Sequence, residues 1–258
     1  MCEWPPDVWS CAVKCCAVIP VYNHEHAVGG VVAALRAQRL PVLMVDDGSR
    51  AECATVLDAL AAADTDVTVL RRQQNGGKGA AVSDGLCAAH AAGYTHALQI
   101  DADGQHDTAD VPRFLAEAES APDHAIIGCP VYDASVPKGR LYGRYATHVW
   151  VWINTLSFRI TDSMCGFRVY PLDAVVPLLQ RTRIGRRMDF DVEVLVRLDW
   201  AGLPIRNVPT HVRYPEGGVS HFRPLADNLA ISWMHTRLFF GMLPRAPRLL
   251  LRHFRSAA

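Results

Sequence analysis

The chain is 258 residues long, half of them hydrophobic and a fifth charged, which suffices for one large domain with a sizeable core. Its 26 basic and 26 acidic residues cancel to a formal charge of zero, a balance that argues against a nucleic-acid binder. No run of eighteen apolar residues occurs, and Met1-Cys2-Glu3-Trp4-Pro5-Pro6 lacks the basic start and long apolar core of a signal peptide, so neither a spanning helix nor a leader is predicted.

Cys15 to Val21 is a continuous apolar run that predicts a strand, ending at Pro20-Val21-Tyr22-Asn23. None of the eight cysteines stands in Cys-x-x-Cys spacing, so reduced thiols of a cytoplasmic protein are expected. Ala27 to Gln38 predicts a helix, and Pro41 to Val45 a second strand ending in Asp46-Asp47-Gly48-Ser49. A helix to about Ala63 and a strand over Val67 to Leu70 follow. Next come Asn75-Gly76-Gly77-Lys78-Gly79 and an Ala-rich helix from about Ala80 to Ala92. The strand Ala97 to Ile100 delivers Asp101-Ala102-Asp103-Gly104-Gln105. This alternation predicts βαβ units and a parallel sheet. Every polar motif falls at the C-terminal end of a strand, the edge where open α/β sheets bind ligands.

Two carboxylates at one strand end can lean toward a single point. Left unpaired they repel and raise each other's pKa, so Asp101 and Asp103 suit a bound cation. An oxygen-only set completed by the Gln105 amide favours Mg2+ or Mn2+. The alternative is a solvated Asp-rich turn. The glycine stretch is no P-loop, because Gly79 follows Lys78 where Ser or Thr would stand. A turn, one lysine and a helix N-terminus suit an anion, with a solvated helix start as the alternative.

Together, Pro20-x-Tyr22-Asn23, Val45-Asp46-Asp47-Gly48-Ser49, Asn75-x-Gly77-Lys78-Gly79 and Asp101-Ala102-Asp103-x-Gln105 resemble the motifs of family 2 glycosyltransferases of the GT-A fold. Within that family they are most similar to the polyprenyl-phosphate branch typified by dolichol-phosphate mannose synthase. The resemblance covers residues 15–225. It implies a Rossmann-like, mostly parallel sheet flanked by helices in a GT-A domain over residues 1–224, with amphipathic, interfacial C-terminal helices in residues 225–258. It also implies that Pro20, Tyr22, Val45, Asp47, Lys78 and Ala102 line the nucleotide-sugar donor site. Asp101 and Asp103 would hold the diphosphate through Mg2+ or Mn2+, with Gln105 assisting. The chain departs from the family pattern at His24, where Glu is usual, and at Gly128-Cys129-Pro130, which lacks the usual arginine.

The second half is less regular. Leu141, Tyr145, Val149, Trp152 and Leu156 recur at helical spacing, with Arg140, Arg144 and His148 on another face. A core-packing helix is one reading; the resemblance implies an interfacial helix bringing Arg140 or Arg144 to a lipid phosphate. Asp162-Ser163-Met164-Cys165-Gly166-Phe167-Arg168 resembles the family's acceptor-side segment, with Cys165 a packed small residue and Arg168 at the acceptor. Met188-Asp189-Phe190-Asp191-Val192-Glu193 opens a helix where relatives carry acids, which the helix dipole alone would also favour. Arg213 and Gly217-Gly218-Val219-Ser220-His221 resemble a late basic loop closing over the diphosphate. Asp103, Asp191 and Arg213 are thus the catalytic candidates.

From Leu225 to Leu243 the chain is apolar on most sides, with a narrow polar stripe of Asn228, Ser232, His235 and Thr236. Five arginines at 237, 245, 248, 252 and 255, with no acid after residue 228, complete a segment expected to lie on the inner face of a membrane. A homo-oligomer interface is the alternative. The function expected is inverting transfer of a sugar from a nucleotide sugar to a membrane-bound acceptor, polyprenyl phosphate first. A lipid or aryl hydroxyl acceptor, or a non-catalytic nucleotide-sugar sensor, are the rivals.

Overall fold

The strand β1 (Cys15–Val21) lies inside the sheet and is apolar on both faces, as a strand covered by helices on either side must be. The computed structural model describes residues 13–131, 138–212 and 223–255. Strands β2 (Val42–Asp46), β3 (Val67–Arg71) and β4 (His96–Gln99) all run parallel to β1, in the order β3-β2-β1-β4. Their crossovers are the helices α1 (Val28–Ala37), α2 (Ala51–Ala63) and α3 (Lys78–Ala91). These boundaries fall within two residues of the sequence expectation. Beyond β4 the order continues with β6 (Arg168–Pro171), β5 (Ala125–Val131) and β7 (Ile205–His211). Strand β6 is antiparallel to both its neighbours, so Arg168 at its start pairs with Gln99 at the end of β4.

Side chains alternate across the sheet. Val18 and Val45 face one core, and Ile19 and Met44 face the other. Helix α3 sits unusually near the first face because it is made of small residues. A Cβ at Gly85 would come within 2.5 Å of Val18 and 2.8 Å of Val45. That approach carries the N-terminus of α3, and with it Lys78, over the ligand edge of the sheet.

The second half supplies helices α4 (Val111–Ser120), α5 (Lys138–Thr155), α6 (Leu172–Arg181), α7 (Phe190–Ala201), α8 (Pro224–Met242) and α9 (Ala246–Arg255). Met234, Leu238, Met242 and Leu249 join the core beside α7. The C-terminal arginines act largely in this docking. Arg237 donates to the fully buried Glu193 at 3.1 Å, Arg252 to Asp199 at 2.9 Å, and the Arg245 guanidinium lies 4.8 Å from the Trp200 ring. Three of the five arginines expected at a membrane therefore have partners within the protein, Arg245 while itself exposed.

Helix α5 buries Thr147, His148, Val151, Asn154 and Thr155, and turns Tyr145, Val149, Trp150 and Ile153 outward. Helix α8 turns Leu225, Leu229, Trp233 and Phe240 outward, beside α5. His235 departs from the expected polar stripe: it is buried, stacked on Trp150, with Asn154 donating to it at 3.3 Å. Among the described residues no helix is long and apolar enough to cross a membrane.

Burial holds the His235 imidazole down at about 4, below its ordinary range. The neutral ring is retained in the folded chain while the unfolded chain takes up a proton, so stability is complete above pH 6.5 and declines as pH falls toward 4. On the order of 2 kcal/mol is expected from this group. His235→Gln should flatten the difference in unfolding free energy between pH 7.5 and 4.5 relative to the unmodified chain; equal slopes would remove His235 as the cause.

Candidate active site

The ends of β1 to β4 gather the first group of expected residues. Pro20 lies opposite Val45 in the sheet and Val21 opposite Asp46, so the loops after β1 and β2 leave side by side. They are laced together: the Asn23 amide N–H donates to Ser49 at 3.1 Å, and the Arg50 N–H donates to Asn23 Oδ1 at 2.8 Å. Tyr22 stands half-buried in this wall. Val45 and Ala102 are core side chains, so only their backbone can meet a ligand.

Asp47 has a local task. Its carboxylate accepts from the N–H groups of Gly76 at 2.9 Å and Gly77 at 2.8 Å, and pairs with Arg72 at 2.9 Å. The amides expected to suit an anion at the start of α3 are thus already capped by Asp47. The glycines also answer to packing. Gly77 has φ +98°, and a Cβ there would lie 2.5 Å from Arg187, while one at Gly79 would collide with Phe190.

What the loop presents is Lys78. Its ammonium lies 2.8 Å from Asp101 and 2.9 Å from Asp191. Burial opposes its charge, but the two carboxylates overcome that and hold its pKa above the ordinary lysine value. Asp191 is further held by Gln99, which donates at 3.1 Å, and by Arg168 at 3.8 Å. Asp189, the other acid of this helix start, accepts from the Arg187 N–H at 3.1 Å, and burial raises its pKa.

Burial also opposes the charge on Asp101, yet Lys78 and His106 keep its carboxyl well below the usual range. His106 lies 3.6 Å away. Asp103 behaves in the opposite way: burial and then the neighbouring Asp101 push it up, with the Gln105 N–H at 3.0 Å partly offsetting this. Asp101 Oδ1 is buried and has the Lys78 ammonium, 2.8 Å away, as its partner. Gly166 passes so near that carboxylate that any Cβ would overlap it. A hard divalent cation fits these residues: Asp101, Asp103 and Gln105 offer oxygens, and Asp103 makes no ion pair among the described residues. Among the described residues no three acid, imidazole or thiol groups converge as a closed cage.

The remaining expectations fare differently. Arg144 makes a two-pronged pair with Asp162 at 2.6 and 2.7 Å. Asp162 also accepts from the N–H groups of Met164 and Cys165, shaping the turn that brings Gly166 against Asp101. Arg168 is corrected outright. Expected at the acceptor, it is fully buried behind the site, donating to Cys165 O, Ser163 O, Tyr170 Oη and Asp191 O at 2.7–2.9 Å. Arg213 and His221 lie outside the described residues, as does the side chain of Arg140. Arg72 and His106 were not anticipated, and Asp162 was read only as the start of the acceptor-side segment; Arg72 carried a signal as the residue after a strand on the ligand edge.

Residues 16–175 match the family described as Glycosyl transferase family 2. The chain belongs to glycosyl transferase family 2. It is similar to the undecaprenyl-phosphate mannosyltransferase of Micrococcus luteus, 28% identical over 74% of this chain and 80% of that one. It is also similar to the polyprenol monophosphomannose synthase of Mycolicibacterium smegmatis, 27% identical over 79% of this chain and 78% of that one. Among solved structures, glucosyl-3-phosphoglycerate synthase from Mycobacterium tuberculosis superposes with a TM-score of 0.61 at 15% identity, covering 89% of this chain and 79% of that one. A mannosyltransferase from Pyrobaculum calidifontis, in complex with GDP-Man and Mn2+, superposes with a TM-score of 0.55 at 11% identity over 96% and 82%. The family 2 chain therefore has the GT-A fold, and its activity is glycosyl transfer.

Proposed function

We propose that this family 2 enzyme transfers a sugar, with inversion, from a nucleoside diphosphate sugar to polyprenyl phosphate at the inner face of a membrane. The observation that carries the acceptor choice is the state of the two acids at the start of α7. A hydroxyl acceptor must lose a proton as it attacks, and wants a free carboxylate base. Asp191 is instead occupied by Lys78 and Gln99, and Asp189 by a backbone N–H. A phosphate monoester needs no base, because its second pKa is about 6 and it is anionic at neutral pH. The names of the relatives from Micrococcus luteus and Mycolicibacterium smegmatis support the same acceptor class.

In this reading a phosphate oxygen attacks the anomeric carbon, the bond to the diphosphate breaks on the opposite face, and the diphosphate leaves with the electron pair. Pro20, Tyr22 and the Asp47-braced loop hold the nucleoside. Asp101, Asp103 and Gln105 would hold Mg2+ or Mn2+, which supplies charge neutralisation at the leaving diphosphate. Lys78 presents a second, fixed cation beside it. Arg140, Arg144, Arg213 and His221 furnish the cationic surroundings that the acceptor phosphate and the departing diphosphate need. Arg168 acts from behind by fixing Asp191. The exposed faces of α5 and α8 and the segment 225–258 make the membrane contact.

The test is to incubate the purified chain with a polyprenyl-phosphate-containing lipid extract, Mn2+ and a panel of labelled nucleotide sugars. A lipid product that releases its sugar in mild acid, as a glycosyl phosphate does, is expected. A product stable to acid but cleaved by glycosidase would assign a hydroxyl acceptor and defeat this reading.

A further inference from the structure

The densest group of exposed cations lies in the connection between α6 and α7, remote in sequence from the tail. Arg181, Arg183, Arg186 and Arg187 fall within a single short segment, and all four are exposed. No side-chain hydrogen bond or ion pair ties them to another described residue. The nearby acids are spent elsewhere: Glu193 on Arg197 and Arg237, and Asp189 on a backbone N–H.

The segment is nevertheless fixed. The Ala80 N–H donates to Arg186 O at 2.9 Å, the Gly185 N–H donates to Glu193 Oε2 at 2.8 Å, and Ile184 packs on the core. The same Glu193 oxygen receives Arg237 of α8. On that helix Arg237 is flanked, four residues before and three after, by Trp233 and Phe240, exposed to 63% and 65%. The Gly185 backbone and Arg237 thus meet on one Glu193 oxygen, which joins residues 181–187 to the turn of α8 that carries Trp233 and Phe240. Exposed guanidinium groups on a fixed backbone, joined to exposed Trp and Phe, have the chemistry of a lipid-water boundary. Guanidinium groups bind phosphate in two-pronged fashion, and Trp prefers the head-group level.

We propose that residues 181–187 form a docking strip for the phosphate head groups of an anionic lipid surface. This rests on the membrane contact proposed above and adds an orientation to it. Because the segment braces the glycine loop, docking it would turn the Lys78 side of the site toward the lipid.

The test compares flotation with phosphatidylcholine vesicles made with and without phosphatidylglycerol, at low salt. The variant Arg181→Gln/Arg183→Gln/Arg186→Gln/Arg187→Gln should lose affinity for the anionic vesicles, roughly fivefold per arginine removed. Its binding to neutral vesicles, its thermal midpoint and its calorimetric affinity for free nucleoside diphosphate should be unchanged. Trp233→Ser/Phe240→Ser should weaken binding to both vesicle types. If the unmodified chain binds neither vesicle, the membrane contact itself fails. If it binds but the arginine variant floats with anionic vesicles as tightly, only the docking strip is overturned. Loss of nucleoside diphosphate affinity with vesicle binding intact would assign the arginines to the donor and likewise overturn the strip.

Discussion

Asp103→Asn is expected to lower sugar transfer by at least about a thousandfold, or about 4 kcal/mol of transition-state stabilisation, with the fold unchanged. Asparagine keeps the size of the side chain and can still accept from the Gln105 N–H, so the turn after β4 survives. What disappears is the negative charge. Asp101 already has Lys78 beside it, whereas Asp103 sits next to a like charge and makes no ion pair among the described residues, so it has more to gain from a bound metal. Turnover in Mn2+, circular dichroism and calorimetric donor binding would be measured together. Undiminished turnover in the variant, or in the unmodified chain with excess EDTA, would reject a metal-dependent reaction.

Lys78→Met should be the most damaging change to stability. The ammonium neutralises two carboxylates, one of them almost wholly buried, at 2.8 and 2.9 Å. Removing one partner of such a group leaves uncompensated charge in the interior and costs about 3 kcal/mol or more. A divalent cation at Asp101 and Asp103 would restore part of that charge. The variant should therefore gain more in urea midpoint from Mn2+ than the unmodified chain does. Equal stability without metal would show that Lys78 does not hold the two acids.

The parallel half of the fold and its ligand edge were legible because their signals are local. An apolar run followed by Pro20-x-Tyr22-Asn23, or by Asp46-Asp47-Gly48-Ser49, marks a strand end directly, and parallel strands place such ends on one edge. The failures concern partners distant in sequence. Nothing around Asp47 announces that it also caps Gly76 and Gly77, 29 and 30 residues away. The tail arginines read as free charge because composition counts cations without counting Glu193 and Asp199. Helix α5 shows the same limit, for its inner face is built from Thr147, His148 and Asn154 while Tyr145 and Val149 face out. Periodicity located the helix but did not say which stripe was inward. Strand β6 is only four residues long, and no feature of Arg168 to Pro171 announces its direction.

That reversed strand divides the protein in two for any exchange of parts. Four parallel strands deliver one wall of the site, the wall proposed for the donor, from their ends, whereas β6 delivers the opposite wall from its beginning, so the residues 156–167 arrive at the site from the other direction. They meet the β4 side where Gly166 passes over Asp101 and Phe167 lies 5.5 Å from His106. A graft of 156–167 from a relative, keeping Asp162 and Gly166, should change which acceptor is used while the choice of nucleotide sugar stays with the parallel strands. Acceptor preference could then diverge among descendants of this chain without the donor wall being rebuilt.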